Sequence, residues 1–242
     1  MINRVWNDFI LDFRVLPSQE VAAPMLEWIN MPVEDSEQDQ YVKNEVALGK
    51  AHHELHVAAS MKAGATDSEL QAINHYTSNQ SGGHQNSSVI NYHLTGHAHS
   101  ENPNTKHRIA TIDRFLASSP PSPSDVTLYS GIGHSWDLLS LQRKNNMPHT
   151  ISSKAFLSFS FSMTVAEKFA EIRSDKIIGP YKNIACFTIN KGDRVGRTIS
   201  HLSDKPEELE FLVKRGHNFS IRQGYSIKKS LGQTYLIWHF VI

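Results

Sequence analysis

One cysteine, Cys186, in 242 residues rules out any internal disulfide and fits a reducing compartment without requiring one. Charge of one sign is also lacking. Lys plus Arg number 24 and Asp plus Glu number 24, so no global field advertises DNA, RNA or an anionic membrane as partner. No stretch approaches the roughly 18–20 apolar residues of a membrane span. Asp8, Asp12 and Arg14 break up the apolar residues around Phe9 and Ile10, so the N-terminus does not read as a signal peptide. The simplest expectation is a protein that acts in a cytoplasm, its own or a host's after delivery by other machinery. There is no internal repeat and no strand–helix alternation, which argues against a solenoid and against a doubly wound parallel sheet.

What is present divides into two textures. Up to about Ser118 the chain reads as helical. Residues 1–35 carry no clear period and are punctuated by Pro17, Pro24 and Pro32. The acidic residues Glu34, Asp35, Glu37 and Asp39 suit a helix start, and Leu48, Ala51, Leu55 and Ala58 follow at helical spacing. Thr66 with Glu69 makes a capping box, and Leu70, Ile73 and Tyr76 then share a face. A short helix with Val89, Ile90 and Leu94 and a longer one with Ile109, Ile112 and Leu116 come next. The segment Ser118-Ser119-Pro120-Pro121-Ser122-Pro123 cannot be helical and marks the change to β-structure.

Beyond it, strands are expected at Val126 to Tyr129, around Phe156 to Ser160, and at Ile184 to Ile189, Glu208 to Val213, Phe219 to Arg222 and Thr234 to Val241. Short helices are expected over Trp136 to Gln142 and over Val165 to Ile172, the latter capped by Thr164 with Glu167. The fold class expected is α+β: a helical layer packed on two small antiparallel-rich sheets.

Three segments carry candidate chemistry. Glu208-Leu209-Glu210-Phe211-Leu212-Val213, read as a strand, puts both glutamates on one face about 7 Å apart, from twice the strand rise. Carboxylates so placed raise one another's pKa; the bland alternative is a solvated strand face. In Phe156-Leu157-Ser158-Phe159-Ser160 the two serines share a face, and their hydroxyls could orient a carboxylate or bind a sugar. Val126 to Gly131 is a strand running into a glycine turn and alone means little. His52 and His56 stand one helical turn apart but lack the His-Glu-x-x-His order of metalloproteases, so a surface explanation is preferred to a metal site.

The order of these segments resembles the ADP-ribosyltransferases, specifically the arginine–serine–glutamate class of toxins and exoenzymes that bacteriophages also carry. Tyr129-Ser130-Gly131 stands for the first motif. Phe156 to Ser160, followed by Val165-Ala166-Glu167-Lys168-Phe169, stands for the second. Glu208 to Val213 with Gly216-His217-Asn218-Phe219 stands for the third. Ala72 to Thr77, Ile90 to Leu94, and Ile112 to Leu116 ahead of the proline segment resemble the family's helices. The resemblance covers 65–242 as an ADP-ribosyltransferase domain and leaves 1–60 as an N-terminal helical extension of unknown role.

The resemblance implies NAD as substrate, no metal, and cleavage of the nicotinamide–ribose bond with transfer of ADP-ribose, most simply to arginine of an acceptor protein, which in a toxin-like effector belongs to a host. It makes Glu210 the catalytic carboxylate, Ser158 its support and Glu208 the acceptor-binding carboxylate. A glutamate rather than a glutamine there is what arginine-modifying members carry. It assigns Tyr129, Ser130, Gly131, Ser160 and Phe169 to NAD binding. Two departures stand out. Ser130 replaces an arginine that holds the dinucleotide, leaving Arg114, Arg194 and Arg197 as candidate substitutes, and Phe159 replaces a threonine. The alternatives are an NAD glycohydrolase, transfer to another acceptor such as nucleic acid, and a non-catalytic member with a structural or binding role.

Overall fold

A computed structural model of the chain describes residues 35–78, 87–96, 102–132, 150–172, 181–230 and 233–241. The helix expected over Trp136 to Gln142 and most of the loops at Ser78 to Gln85 and Gly96 to Asn104 lie outside the described residues. Among the described residues four helices come first: α1 (Asp35–Ala63), α2 (Asp67–Thr77), α3 (Ser87–Leu94) and α4 (Pro103–Ala117). Thr66 and Glu69 form the expected capping box at the start of α2. Asn102 caps α4, accepting from the Asn104 backbone N–H at 2.9 Å.

Eight strands follow: β1 (Val126–Ile132), β2 (Thr150–Ser152), β3 (Leu157–Ser160), β4 (Tyr181–Ile189), β5 (Gly196–Thr198), β6 (Glu210–Val213), β7 (Asn218–Ser230) and β8 (Gln233–Val241). A helix, α5 (Met163–Ile172), lies between β3 and β4. The strands form one ladder in the order β2-β7-β8-β4-β1-β3-β6-β5, not two separate sheets. The join is narrow: β1 and β3 share the single pair Tyr129–Ser160. Every pairing is antiparallel except β4 with β8.

Each side of the join has its own core. Beside β3, β6 and β5, the helices α2, α3 and α4 bury Ile73, Tyr76, Ile90, Ile112 and Phe115 against Phe156, Ile199 and Leu212. On the other side, Met163, Ala166 and Ala170 of α5 pack on Ile184, Cys186, Tyr235 and Ile237. Of the apolar stripes predicted at helical spacing, Ile73 and Tyr76 of α2 and Ile109, Ile112 and Leu116 of α4 are buried there, while Leu70 is only half-buried.

Helix α1 is seated the other way round. Its apolar face is outward, with Leu48 60%, Leu55 51% and Met61 65% exposed. Its inward face is polar. His52 Nδ1 lies 2.8 Å from Ser124 Oγ, and His53 Nε2 lies 2.5 Å from Ser200 Oγ. The buried His56 packs against the rings of Phe161 and Phe211. The Ser60 hydroxyl donates to the Thr198 carbonyl. The surface explanation of the histidines is therefore corrected: they form the seam that docks α1, and no group of three potential metal ligands occurs among the described residues.

Three further boundaries differ. Helix α5 opens at Met163, so Thr164 lies inside it rather than capping it. Strand β7 runs past Arg222 to Ser230 because a bulge between Ile221 and Tyr225 absorbs the polar Arg222-Gln223-Gly224. The strand expected from Glu208 begins only at Glu210.

Candidate active site

At the join between the two leaves of the sheet lies a cleft of about 820 Å³ that opens to solvent. Tyr129, Ser130 and Gly131 of β1, Ser158, Phe159 and Ser160 of β3, Phe169 of α5, and Glu208 and Glu210 line it. All eight residues singled out in the sequence are therefore brought together. The β1–β3 pairing sets two of them side by side, Tyr129 opposite Ser160.

The Ser158 hydroxyl donates to Glu210 Oε1. Removal from water pushes the Glu210 carboxyl up to about 7; the Ser158 bond acts downward, and the neighbouring Glu208 charge acts upward. Ser160, expected to touch a sugar, is engaged with the backbone. Its hydroxyl donates to the Glu208 carbonyl at 2.8 Å and accepts from the Ser162 N–H at 3.0 Å.

Glu208 does not share a strand face with Glu210. It ends a short 3₁₀ turn, Pro206–Glu208, and Leu209 follows with φ 49 and ψ 46, in the left-handed region. For a leucine this backbone costs about 1–2 kcal/mol. The proline and the intervening left-handed residue break the period-two alternation on which the strand reading rested. Lys205 Nζ pairs with Glu208 Oε1 at 3.4 Å across this turn.

Gly131 is not a turn residue either. Strand β1 continues through it to Ile132, and a Cβ at Gly131 would lie 2.3 Å from the Ala170 nitrogen, so glycine is what lets α5 press onto β1. That approach carries Phe169 to the cleft.

The sequence did not mark the helical wall of the cleft as a site. Tyr76, Thr77 and Ser87 belong to it. Tyr76 is buried, and its hydroxyl accepts from Asn91 Nδ2 at 3.2 Å. Burial first, then the Glu210 charge, drives its pKa upward, while hydrogen bonds to Asn91 and Ser158 act the other way. Asn91 also bonds both the carbonyl and the N–H of Phe156, fixing the entry to β3. Tyr76 and Asn91 sit within two of the helical motifs that carried the resemblance, but as single letters they read only as a core residue and a helix polar residue.

None of the three arginines proposed to replace the missing one lines the cleft. Arg197 is 2% exposed, donates to Ser60 Oγ and to the Gly64 carbonyl at 2.6 and 2.7 Å, and stacks on Phe115. Arg194 donates to the Ser119 carbonyl and Arg114 to the Thr111 hydroxyl. Among the described residues, the cation lining the cleft is Lys205.

The family model described as ADP-ribosyltransferase exoenzyme matches residues 36–241. The chain belongs to that family. This transferase therefore takes NAD as substrate and ADP-ribose as the group it moves. No curated protein matches it significantly in sequence. Solved structures share its fold at low identity. Plx2a, an ADP-ribosyltransferase toxin from Paenibacillus larvae, is 18% identical with a TM-score of 0.52, covering 85% of this chain and 94% of that one. C3stau2 from S. aureus, solved with NAD, is 17% identical with a TM-score of 0.54, covering 78% and 94%. The ADP-ribosyltransferase Vis, solved with agmatine, is 21% identical with a TM-score of 0.52, covering 89% and 90%.

Proposed function

We propose that this transferase modifies arginine side chains of an acceptor protein, with Glu210 as the catalytic carboxylate and Glu208 as the acceptor-binding one. The observation that carries this reading is the pairing of Ser158 with Glu210 beside Glu208, in one cleft with Phe169. In the reaction the bond between ribose C1′ and the nicotinamide nitrogen breaks. Its electron pair leaves with the ring and neutralises the pyridinium. The oxocarbenium-like ribose left behind needs a fixed negative charge beside it, which the Glu210 carboxylate supplies. The cationic ring of bound NAD favours the ionised form of Glu210. Phe169 offers an aromatic face for the nicotinamide. A guanidinium nitrogen then attacks C1′ and gives up its proton to Glu208, whose carboxylate also fits a guanidinium fork. Vis, one structural relative, was captured with agmatine, which carries the same guanidine group.

Purified protein with labelled NAD, with and without agmatine or a cell lysate, tests this. Glu210→Gln should lose both transfer and NAD hydrolysis by roughly a hundredfold to a thousandfold. Glu208→Gln should lose transfer far more than hydrolysis. Near wild-type turnover by the first variant would sink the mechanism, and equal loss of both activities in the second would remove Glu208 as the acceptor group. Label released only as free ADP-ribose would make the protein a glycohydrolase.

A further inference from the structure

We infer that Leu209, through its left-handed backbone, is a positioning residue that sets Glu208 for the acceptor and so determines transfer rather than NAD cleavage. This rests on the reading of Glu208 as the acceptor-binding carboxylate.

Leu209 is the non-glycine residue with positive φ among the described residues, and it stands between the two glutamates. Strain of this kind persists only where the surroundings impose it, and here they do. The Leu209 N–H donates to the Pro206 carbonyl at 3.1 Å, and its carbonyl accepts from the Phe161 N–H at 3.3 Å. The Glu208 carbonyl is held by the Ser160 hydroxyl at 2.8 Å. Both peptide groups flanking Leu209 are thus tied, on one side to the turn and on the other to the end of β3.

The conformation separates the two carboxylates into different structural settings. Glu210 is in β6, paired across from Ser160 and bonded by Ser158. Glu208 is in the turn, next to Lys205 at the open side of the cleft. With an extended residue at 209, Glu208 would join β6, and strand geometry would fix its spacing from Glu210. The left-handed residue frees Glu208 from that constraint while leaving Glu210 where strand pairing holds it.

β-Branched residues resist the left-handed region most, whereas asparagine accepts it. Leu209→Val should therefore lower kcat/KM for transfer to agmatine by about tenfold or more, the scale of the backbone preference. NAD hydrolysis without acceptor should stay within about threefold, because Glu210 and Ser158 are held by other elements. Leu209→Asn should restore transfer. A valine variant that transfers normally, or that loses both activities alike while still melting cooperatively, overturns the inference. Leu209→Thr, smaller and also β-branched, serves if the valine variant fails to fold. Glu208→Gln measured alongside separates the two levels. If it fails to split transfer from hydrolysis, the acceptor reading itself falls. If it splits them and Leu209→Val does not, only the role of Leu209 falls.

Discussion

At the scale of single residues, the most informative group is Glu210. Its carboxyl titrates near 7 in the unliganded protein, mainly because it is removed from water. In the proposed mechanism the active form of Glu210 is the carboxylate, so kcat/KM for NAD cleavage should rise with pH and level off above about 7. Ser158→Ala removes a donor that favours the charged form, so the midpoint should move up; a midpoint unmoved or lowered would break the link between the two residues. The same shift bears on stability. The folded carboxyl holds its proton above the ordinary value of 4.5, so ionisation between there and about 7 weakens the fold. Glu210→Gln should thus melt increasingly above the wild type as pH goes from 5 to 8. Lys205 gives a second test. It pairs with Glu208 where the proposed arginine acceptor would bind, in a half-exposed bridge worth less than about 1 kcal/mol. Lys205→Gln should lower the KM for agmatine by about two- to fivefold and leave NAD affinity unchanged. If calorimetry instead finds NAD binding weakened about tenfold, Lys205 is the cation that stands in for the arginine absent at Ser130.

At the scale of elements, helix α1 is held by a seam of imidazoles. Burial, with the charges of His52 and His53, pushes His56 down to about 4. His53 is lowered by burial, and His201, on the body beside it, is lowered by burial and by Arg197 and His53. Asp193 and Arg197 line the small cavity next to His56. The unfolded chain takes up protons near 6.5 and the folded chain only nearer 4, so stability present at pH 7 should drain away between those values. Melting measured from pH 7.5 to 4.5 should fall steeply, and His56→Leu should flatten the acid limb; an equally steep fall in that variant would clear His56 of the effect. The same helix shows how far the sequence could be read. Its existence was legible from spacing, but its orientation was not, because a period of 3.6 in Leu48, Ala51, Leu55 and Ala58 says which residues share a face and not which face is buried. The Glu208–Glu210 pair was legible as a candidate site and misread as geometry, since nothing in Glu-Leu-Glu announces a left-handed leucine. Strand β7 was cut short at Arg222 because a bulge looks like a turn in one dimension. The buried stripes of α2 and α4 and the meeting of Tyr129, Ser158 and Glu210 were read correctly, since apolar spacing and motif order survive without coordinates.

At the scale of the whole molecule, the protein is two packed bodies, one under α2, α3 and α4 and one under α5, that share a sheet at the Tyr129–Ser160 pair. The cleft takes walls from both: Ser158 and Glu210 from one, and Ser130, Gly131 and Phe169 from the other. In mechanical terms that pair would serve as a flexure, and a dinucleotide bound over it would act as a splint. Bending there would move the carboxylate and the aromatic ring relative to each other while leaving each wall intact. Calorimetry of the empty protein should therefore give a broad endotherm that resolves into two transitions, one for each core. Saturating NAD should merge them into a single sharper transition at higher temperature, because a ligand that grips both sides couples their melting. A single two-state transition already present without NAD would mean that one residue pair, with the side chains packed around it, transmits force as well as a broad interface does.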